Sequence, residues 1–122
     1  MIVKSLHQVG GQQRVITLFT QASLVTVGRK SDSGVLLNGT LASRAHAIIN
    51  DIPETKNIAV EDTSSTNGTF CNNLRITTRA TVIPGDVLAF PGAPDSFVYK
   101  VTDEAVNALD LPAGEASVIS NQ

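Results

Sequence analysis

The sequence is poor in the residues that form metal sites and disulfides, and it lacks the long apolar runs of membrane segments. It contains no tryptophan, one tyrosine, four phenylalanines, one cysteine and two histidines. A single cysteine, Cys71, excludes an intrachain disulfide, and one cysteine with two histidines does not make a zinc site. No apolar run approaches the roughly 20 residues that cross a bilayer, and residues 1–10 lack the apolar core of a secretory signal. These absences predict an intracellular protein, nuclear or cytoplasmic, with no metal, no cofactor and no membrane partner.

Charge is scarce and unevenly placed. Residues 1–100 hold nine Lys and Arg against seven Asp and Glu, whereas residues 101–122 hold no basic residue and four acids: Asp103, Glu104, Asp110 and Glu115. The weakly basic body is far from the basic stripe of a nucleic-acid-binding protein, so no nucleic-acid partner is predicted. We expect one domain over residues 1–102, followed by an acidic tail over 103–122 that is either a flexible linker or contains a short helix at 103–109.

Short segments rich in β-branched and aromatic residues dominate the body. They lie at 14–19, 23–28, 45–50, 57–62, 86–90 and 96–101, separated by Gly, Pro and Asn turn signals. Alternation places Phe97, Tyr99 and Val101 on one face of the last segment. In the segment at 45–50, it places Ala45 with Ala47, opposite His46. The pattern predicts an all-β sandwich or barrel without helices before residue 102.

Three polar clusters stand at the ends of these predicted strands. They are Gly28-Arg29-Lys30, Ser43-Arg44-Ala45-His46 and Thr66-Asn67-Gly68, the last within the hydroxyl-rich segment DTSSTNGTF at 62–70. Guanidinium groups suit phosphate oxygens, hydroxyls add donors, and an Asn amide can bond a peptide backbone in both directions. A hydrolase is disfavoured because positions 43 and 46 of a strand would face opposite ways. The nucleophile motif Gly-x-Ser-x-Gly is also absent. These clusters predict a binding module and not an enzyme.

The order of these clusters resembles the forkhead-associated (FHA) domain. The matching motifs are Gly-Arg, Ser-Arg-x-His, Ser-Ser-Thr-Asn-Gly-Thr-x-x-Asn and Pro-Gly-Asp-x-Leu-x-Phe, spread over about residues 20–101. The resemblance implies a sandwich of two twisted, mostly antiparallel sheets with about eleven strands. It also implies that loops at one end bind phosphothreonine in a partner protein or peptide.

The resemblance also implies roles for individual residues. The phosphopeptide-binding set is Arg29, Ser43, Arg44, Thr66 and Asn67. Backbone or structural roles fall to Gly28, His46 and Gly68, with His46 bracing the loops. Residues that tune peptide preference would be Leu41, Lys30 and Asn73. Leu41, two residues before the loop serine, favours an apolar or indifferent preference. Pro91 departs from the glycine common in the family.

Two alternatives stay open at this stage. A degenerate FHA-like module that docks its partners without phosphate would retain the fold but not depend on Arg29. The cellular process is equally open, because the family serves DNA-damage signalling, kinases, transcription and bacterial secretion. We expect a monomer, either free-standing or as the first domain of a longer signalling protein.

Overall fold

The computed structural model describes residues 2–10, 13–39, 41–91 and 96–103. Within these residues the chain forms eleven strands in two sheets and no helix. These residues therefore include no helix long and apolar enough to cross a membrane. The predicted acidic tail falls on residues 104–122, outside the described part, apart from Asp103 at the end of the last strand.

The first sheet has six strands and carries both ends of the described chain. Its order is β2 (Val15–Thr17), β1 (Ile2–Gln8), β11 (Ser96–Asp103), β10 (Val87–Ala89), β7 (Phe70–Cys71) and β8 (Leu74–Arg75). All of its described pairings are antiparallel. The long β1–β11 pair anchors the sheet, with Leu6 opposite Tyr99 and Gln8 opposite Phe97.

The second sheet has five strands and ends in the loops that carry the polar clusters. Its order is β4 (Val35–Leu36), β3 (Leu24–Gly28), β5 (Ala47–Asp51), β6 (Ile58–Asp62) and β9 (Arg79–Val82). Only β3 and β4 run parallel among these described pairs. The predicted two-sheet sandwich of about eleven strands is therefore confirmed.

Side chains from both sheets fill one core. It is built from fully buried residues of β1, β3, β5, β6, β9, β10 and β11: Leu6, Val27, Ile49, Ile58, Val60, Val82, Leu88, Phe97 and Tyr99. The alternation predicted for β11 is observed, because Phe97 and Tyr99 are buried while Lys100 is exposed. Apolar area removed from water on this scale supplies the main drive for folding, at about 25 cal/mol per Å².

The alternation predicted around residue 46 is wrong. β5 begins at Ala47, so residues 45 and 46 belong to the preceding loop and do not follow a strand period. Ala45 is exposed while His46 and Ala47 are both buried, so Ala45 does not share a face with Ala47. The loop turns the imidazole inward, where it forms hydrogen bonds with the backbone of Ser43 and Gly68.

Candidate functional site

Sheet pairing brings the three polar clusters to one end of the sandwich. Val27 near the end of β3 lies opposite Ala47 at the start of β5, and Ala47 lies opposite Asp62 at the end of β6. The loops that follow β3, precede β5 and follow β6 therefore leave the sheet side by side. Residues on such loops are held in place by the rigid strands below them.

Arg29 is tied to the loop before β5 by two hydrogen bonds. Its backbone N–H donates to the carbonyl of Ser43 over 3.1 Å, and its Nε donates to the carbonyl of Ala42. The side chain is exposed. Because Nε is already used, the two terminal Nη groups are left to offer a forked pair of donors to a ligand.

Ser43 has a hydroxyl oriented by a neighbouring loop. Its Oγ accepts a hydrogen bond from the backbone N–H of Thr66 over 3.1 Å. With that lone pair occupied, the hydroxyl proton can be donated outward to an anion. Thr66 itself is exposed, so its side chain stands next to Ser43 at the surface while its backbone N–H is committed to Ser43.

His46 joins two of the loops from below. Its Nδ1 accepts the backbone N–H of Ser43 over 2.9 Å, and its Nε2 donates to the carbonyl of Gly68 over 2.7 Å. This pattern requires the neutral tautomer protonated on Nε2, because the first partner is a donor and the second an acceptor. The ring is fully buried and meets Phe90 edge-on at 5.5 Å between centroids.

The Ser43–His46 pair is not a hydrolytic pair. The prediction that residues 43 and 46 face opposite ways is wrong, because residues 43–46 form a loop and the imidazole reaches Ser43. It reaches the backbone N–H and not the hydroxyl, whose contact is Thr66. In the described ranges, no group of three or more His, Cys, Asp or Glu side chains is placed to hold a metal ion.

The side-chain amide of Asn67 is partly used within the protein and partly available to a ligand. Its Nδ2 donates to the carbonyl of Leu41 over 2.8 Å, and the residue is half-buried. The second Nδ2 hydrogen and Oδ1 remain able to donate to a carbonyl and accept from an N–H. An amide used in this way suits the backbone of an extended peptide.

Two glycines allow the loops to approach each other. A Cβ built on Gly28 would lie 1.9 Å from the carbonyl oxygen of Arg44, so no side chain fits there. Gly68 has φ of +91°, in the left-handed region, and a Cβ on it would lie 2.8 Å from Nε of Arg75. The guanidinium of Arg75 thus packs directly against the loop that carries Asn67.

A carboxylate holds the hydroxyl-rich segment in shape. Asp62 accepts hydrogen bonds from the N–H and hydroxyl of Ser65 and from the hydroxyl of Thr69, while Ser65 Oγ accepts the N–H of Gly68. Partial burial raises the pKa of Asp62, but the bonds from Ser65 and Thr69 outweigh it and leave that pKa below its ordinary value. The surplus hydroxyls of this segment therefore mainly build the loop.

The remaining predicted residues are spread more widely. Arg44 and Lys30 are exposed on neighbouring loops, joined by a hydrogen bond from the Lys30 N–H to the Arg44 carbonyl over 3.3 Å. Leu41 is 55% exposed beside Asn67. Asn73 lies apart from the loops, in the β7–β8 turn, where φ is positive at residues 72 and 73.

The sequence pattern does not reveal two of the contacts that shape the site. The carbonyl of Ala42 fixes the Arg29 guanidinium, and Arg75 packs on Gly68. A backbone carbonyl carries no sequence signal, and Arg75 lies outside the three polar clusters. The assembled set offers two exposed guanidinium groups, an oriented hydroxyl and a half-open amide, which suits binding of an anionic ester next to a peptide backbone.

Comparisons with known proteins agree with this geometry. The FHA domain family model matches residues 25–91. EmbR of Mycobacterium tuberculosis, solved with a low-affinity phosphopeptide, is 28% identical with a TM-score of 0.70 over 80% of this chain. The chain spans only 24% of EmbR. No match was found among curated proteins.

Two further structures cover nearly the whole of their own chains. The FhaA FHA domain, solved with the intracellular domain of Rv3910, is 25% identical with a TM-score of 0.62, covering 84% of this chain and 100% of that one. The FHA domain of CT664 from Chlamydia trachomatis shares the fold at 22% identity and a TM-score of 0.67, covering 83% and 97%. The chain therefore belongs to the FHA domain family, whose members are in general non-catalytic, phosphopeptide-binding interaction modules.

Proposed function

We propose that this protein binds phosphothreonine-containing segments of partner proteins, in a phosphate-dependent manner, and so mediates protein–protein interaction in signalling. The observation that carries the proposal is the junction at Ser43, whose carbonyl accepts the N–H of Arg29 and whose hydroxyl accepts the N–H of Thr66. One residue thus links all three loops that carry the candidate phosphate-binding residues. Because such a partner must first be phosphorylated by a kinase, we place the function inside the cell.

The phosphate group is bound by Arg29, Ser43, Arg44 and Thr66. A phosphate monoester carries a charge of about −1.5 to −2 and three strong acceptor oxygens near neutral pH. Charge-assisted hydrogen bonds are each worth about 1.5–3 kcal/mol, and immobilisation and desolvation offset much of the sum. A micromolar dissociation constant, about −8 kcal/mol, is the expected strength. Asn67 bonds the peptide main chain and keeps it extended.

Threonine is preferred over serine, as the family resemblance implies, through a small apolar niche for the γ-methyl group. Burial of one methyl group is worth about 0.8 kcal/mol, which corresponds to roughly a fourfold difference in affinity. Phosphate dependence should be far larger than this, because an unmodified peptide leaves the guanidinium groups without their anion.

Titration of matched peptides tests the proposal. Peptides of one sequence carrying phosphothreonine, phosphoserine or unmodified threonine are titrated into the purified domain by calorimetry. We expect the phosphothreonine peptide to bind most tightly and the unmodified peptide to bind at least about a hundredfold more weakly, through loss of two or more charge-assisted bonds. Equal affinity for all three peptides would overturn the proposal.

Phosphate-independent docking through the same fold is the competing function. The two functions differ at Arg29, an exposed residue whose Nε bonds the Ala42 carbonyl and whose terminal Nη groups would bind the phosphate. Arg29→Ala should abolish binding of a phosphorylated partner under our proposal and leave it unchanged under the alternative. Arg79→Ala, an exposed arginine on the edge strand β9, is the matched control and should bind normally.

A further inference from the structure

A cavity opens on the outer face of the five-stranded sheet, directly beside the binding loops. Its volume is about 190 Å³, and its floor includes Thr26 and Ile48, which lie opposite each other in the β3–β5 register. These two side chains face away from the core, because their neighbours Val27 and Ala47 are the buried ones. A cavity of about 150 Å³ lined by apolar groups can hold benzene, so this one has room for a single aliphatic side chain.

The walls of the cavity are the loops that we propose hold the phosphate. Lys30 and Asp32 line one side, and Arg44 and Ala45 line the other. The hydrogen bond from the Lys30 N–H to the Arg44 carbonyl connects the two walls. Arg44 directly follows Ser43, so the cavity and the candidate phosphate position share one short loop. Leu41 lies on the other side of Ser43 in the same loop, and its carbonyl accepts a hydrogen bond from Asn67 of the loop after β6.

We propose that this cavity is a second subsite for the same phosphopeptide, and that it receives an aliphatic side chain close to the phosphothreonine. The inference rests on the proposed function. An extended peptide advances about 3.3 Å per residue, so a residue within a few positions of the phosphothreonine reaches past Arg44 to the cavity. The half-buried Ile48 and the methyl groups of Thr26 and Ala45 give that side chain an apolar surface, while Lys30, Asp32 and Arg44 form a charged rim.

The occupant is a peptide side chain because Arg44, which we propose contacts the phosphate, also lines the cavity. A free small molecule would have no polar anchor on the floor formed by Thr26 and Ile48 beyond the threonine hydroxyl. That hydroxyl already accepts a hydrogen bond from the N–H of Gly34 over 3.3 Å. An aliphatic group needs no such anchor, since its affinity comes from area removed from water.

A peptide series tests the subsite. Leucine is placed in turn at each flanking position of an alanine-rich phosphothreonine peptide, and affinities are measured by fluorescence anisotropy. We expect leucine at one flanking position to raise the affinity about 5–10-fold over alanine, as partial burial of an aliphatic side chain predicts. The position that shows the gain gives the direction in which the peptide crosses the loops. No gain at any position would overturn the inference.

Two variants and one matched control assign the gain to the cavity. Ile48→Thr removes apolar floor and keeps a β-branched strand residue, whereas Ala45→Leu fills the cavity from its wall. Both should cancel the leucine gain and leave the affinity of the all-alanine phosphothreonine peptide within about twofold, because neither touches the phosphate. Ile83→Thr makes the same chemical change at a half-exposed residue of the β9–β10 turn and should retain the gain.

The results of these experiments test the subsite and the proposed phosphothreonine binding separately. A leucine gain that survives Ile48→Thr and Ala45→Leu, or that disappears in Leu41→Ser, would assign the preference elsewhere and overturn the subsite. A phosphate-dependent affinity without any leucine gain would remove the subsite alone. Equal binding of phosphorylated and unmodified peptides would remove the proposed function and the subsite with it.

Discussion

The buried imidazole of His46 bonds the Ser43 N–H through Nδ1, at 2.9 Å, and the Gly68 carbonyl through Nε2, at 2.7 Å. Ser43 belongs to the loop before β5, and Gly68 to the loop after β6. A single side chain, placed under the site and out of reach of any ligand, therefore fixes the separation of the two loops.

Replacement of His46 should damage both the fold and binding. His46→Ala leaves a cavity and two buried backbone groups without partners, so we expect the free energy of unfolding to fall by about 2–4 kcal/mol. Phosphopeptide affinity should fall with it, because Ser43 loses its position. Urea denaturation and peptide titration measure the two effects. His7→Ala is the control, since His7 lies half-buried on β1, away from the binding loops, with its Nε2 within hydrogen-bonding distance of the Ser5 hydroxyl. Wild-type affinity in folded His46→Ala would contradict the bracing role.

Gly28 should tolerate no side chain. A Cβ there would overlap the Arg44 carbonyl at 1.9 Å, so Gly28→Ala must push apart the loops that hold Arg29 and Arg44. We expect a loss of about 2–4 kcal/mol in unfolding free energy and a large loss of phosphopeptide affinity. Gly85→Ala separates this clash from backbone strain, because Gly85 has φ of +97° and no atom near its would-be Cβ. That control should cost about 1–2 kcal/mol and leave binding intact. Equal losses of affinity in both variants would refute the steric explanation.

Asp62 should make stability depend on pH at the acid end. Its pKa in the folded protein lies below the ordinary value of 3.8, through the bonds from Ser65 and Thr69 that overcome partial burial. A lowered folded pKa stabilises the protein at pH above about 4, and the contribution is lost as pH falls through the folded value. The stability difference between wild type and Asp62→Asn should therefore be largest near neutral pH and shrink on acidification. Urea midpoints across that range measure it, with Asp32→Asn as an exposed control. A difference independent of pH would argue against an ionised Asp62.

Lys4 should be needed for stability although it is remote from the site. It is 5% exposed, and its Nζ donates to the Asp51 carboxylate and to the carbonyls of Ile52, at 3.1 Å, and Asn57, at 2.8 Å. Lys4→Met keeps the aliphatic stem but strips these acceptors of their donor, and we expect a cost of about 2–4 kcal/mol by thermal or urea unfolding. Lys100→Met, on the exposed face of β11, should change stability by less than about 0.5 kcal/mol. Similar effects of the two substitutions would show that the ammonium contacts contribute nothing.

The architecture and the order of the loops could be predicted because both depend on local sequence patterns. Turn residues separate alternating apolar segments, and the polar clusters sit at their ends. β1 could not be recognised in the same way, because Lys4, Ser5 and Leu6 are buried in succession and hide the alternation. The burial of Lys4 is made possible by Asp51, 47 positions away in the sequence, and no local pattern records such a partner.

The candidate site was predictable by residue type but not by contact. Arginine, serine and asparagine at strand ends indicate where an anion and a peptide backbone would bind. The internal, bracing role of His46 was predicted, but the residue was placed within a strand, whereas it lies in the loop before β5 and bonds Gly68 of another loop. The cavity floored by Thr26 and Ile48 escapes a sequence analysis altogether, since it forms only when two strands and two loops meet.

The strand β11 has a practical consequence for experiments on this domain. It starts at Ser96, opposite Ala89 and close to the Phe90 ring that touches His46, and it finishes at Asp103, opposite Ile2. Eight residues of strand cover about 25 Å, so residues 2 and 103 emerge together at the pole away from Ser43. A fluorophore, affinity handle or sensor surface attached at either of these positions would therefore leave the ligand-facing pole unobstructed.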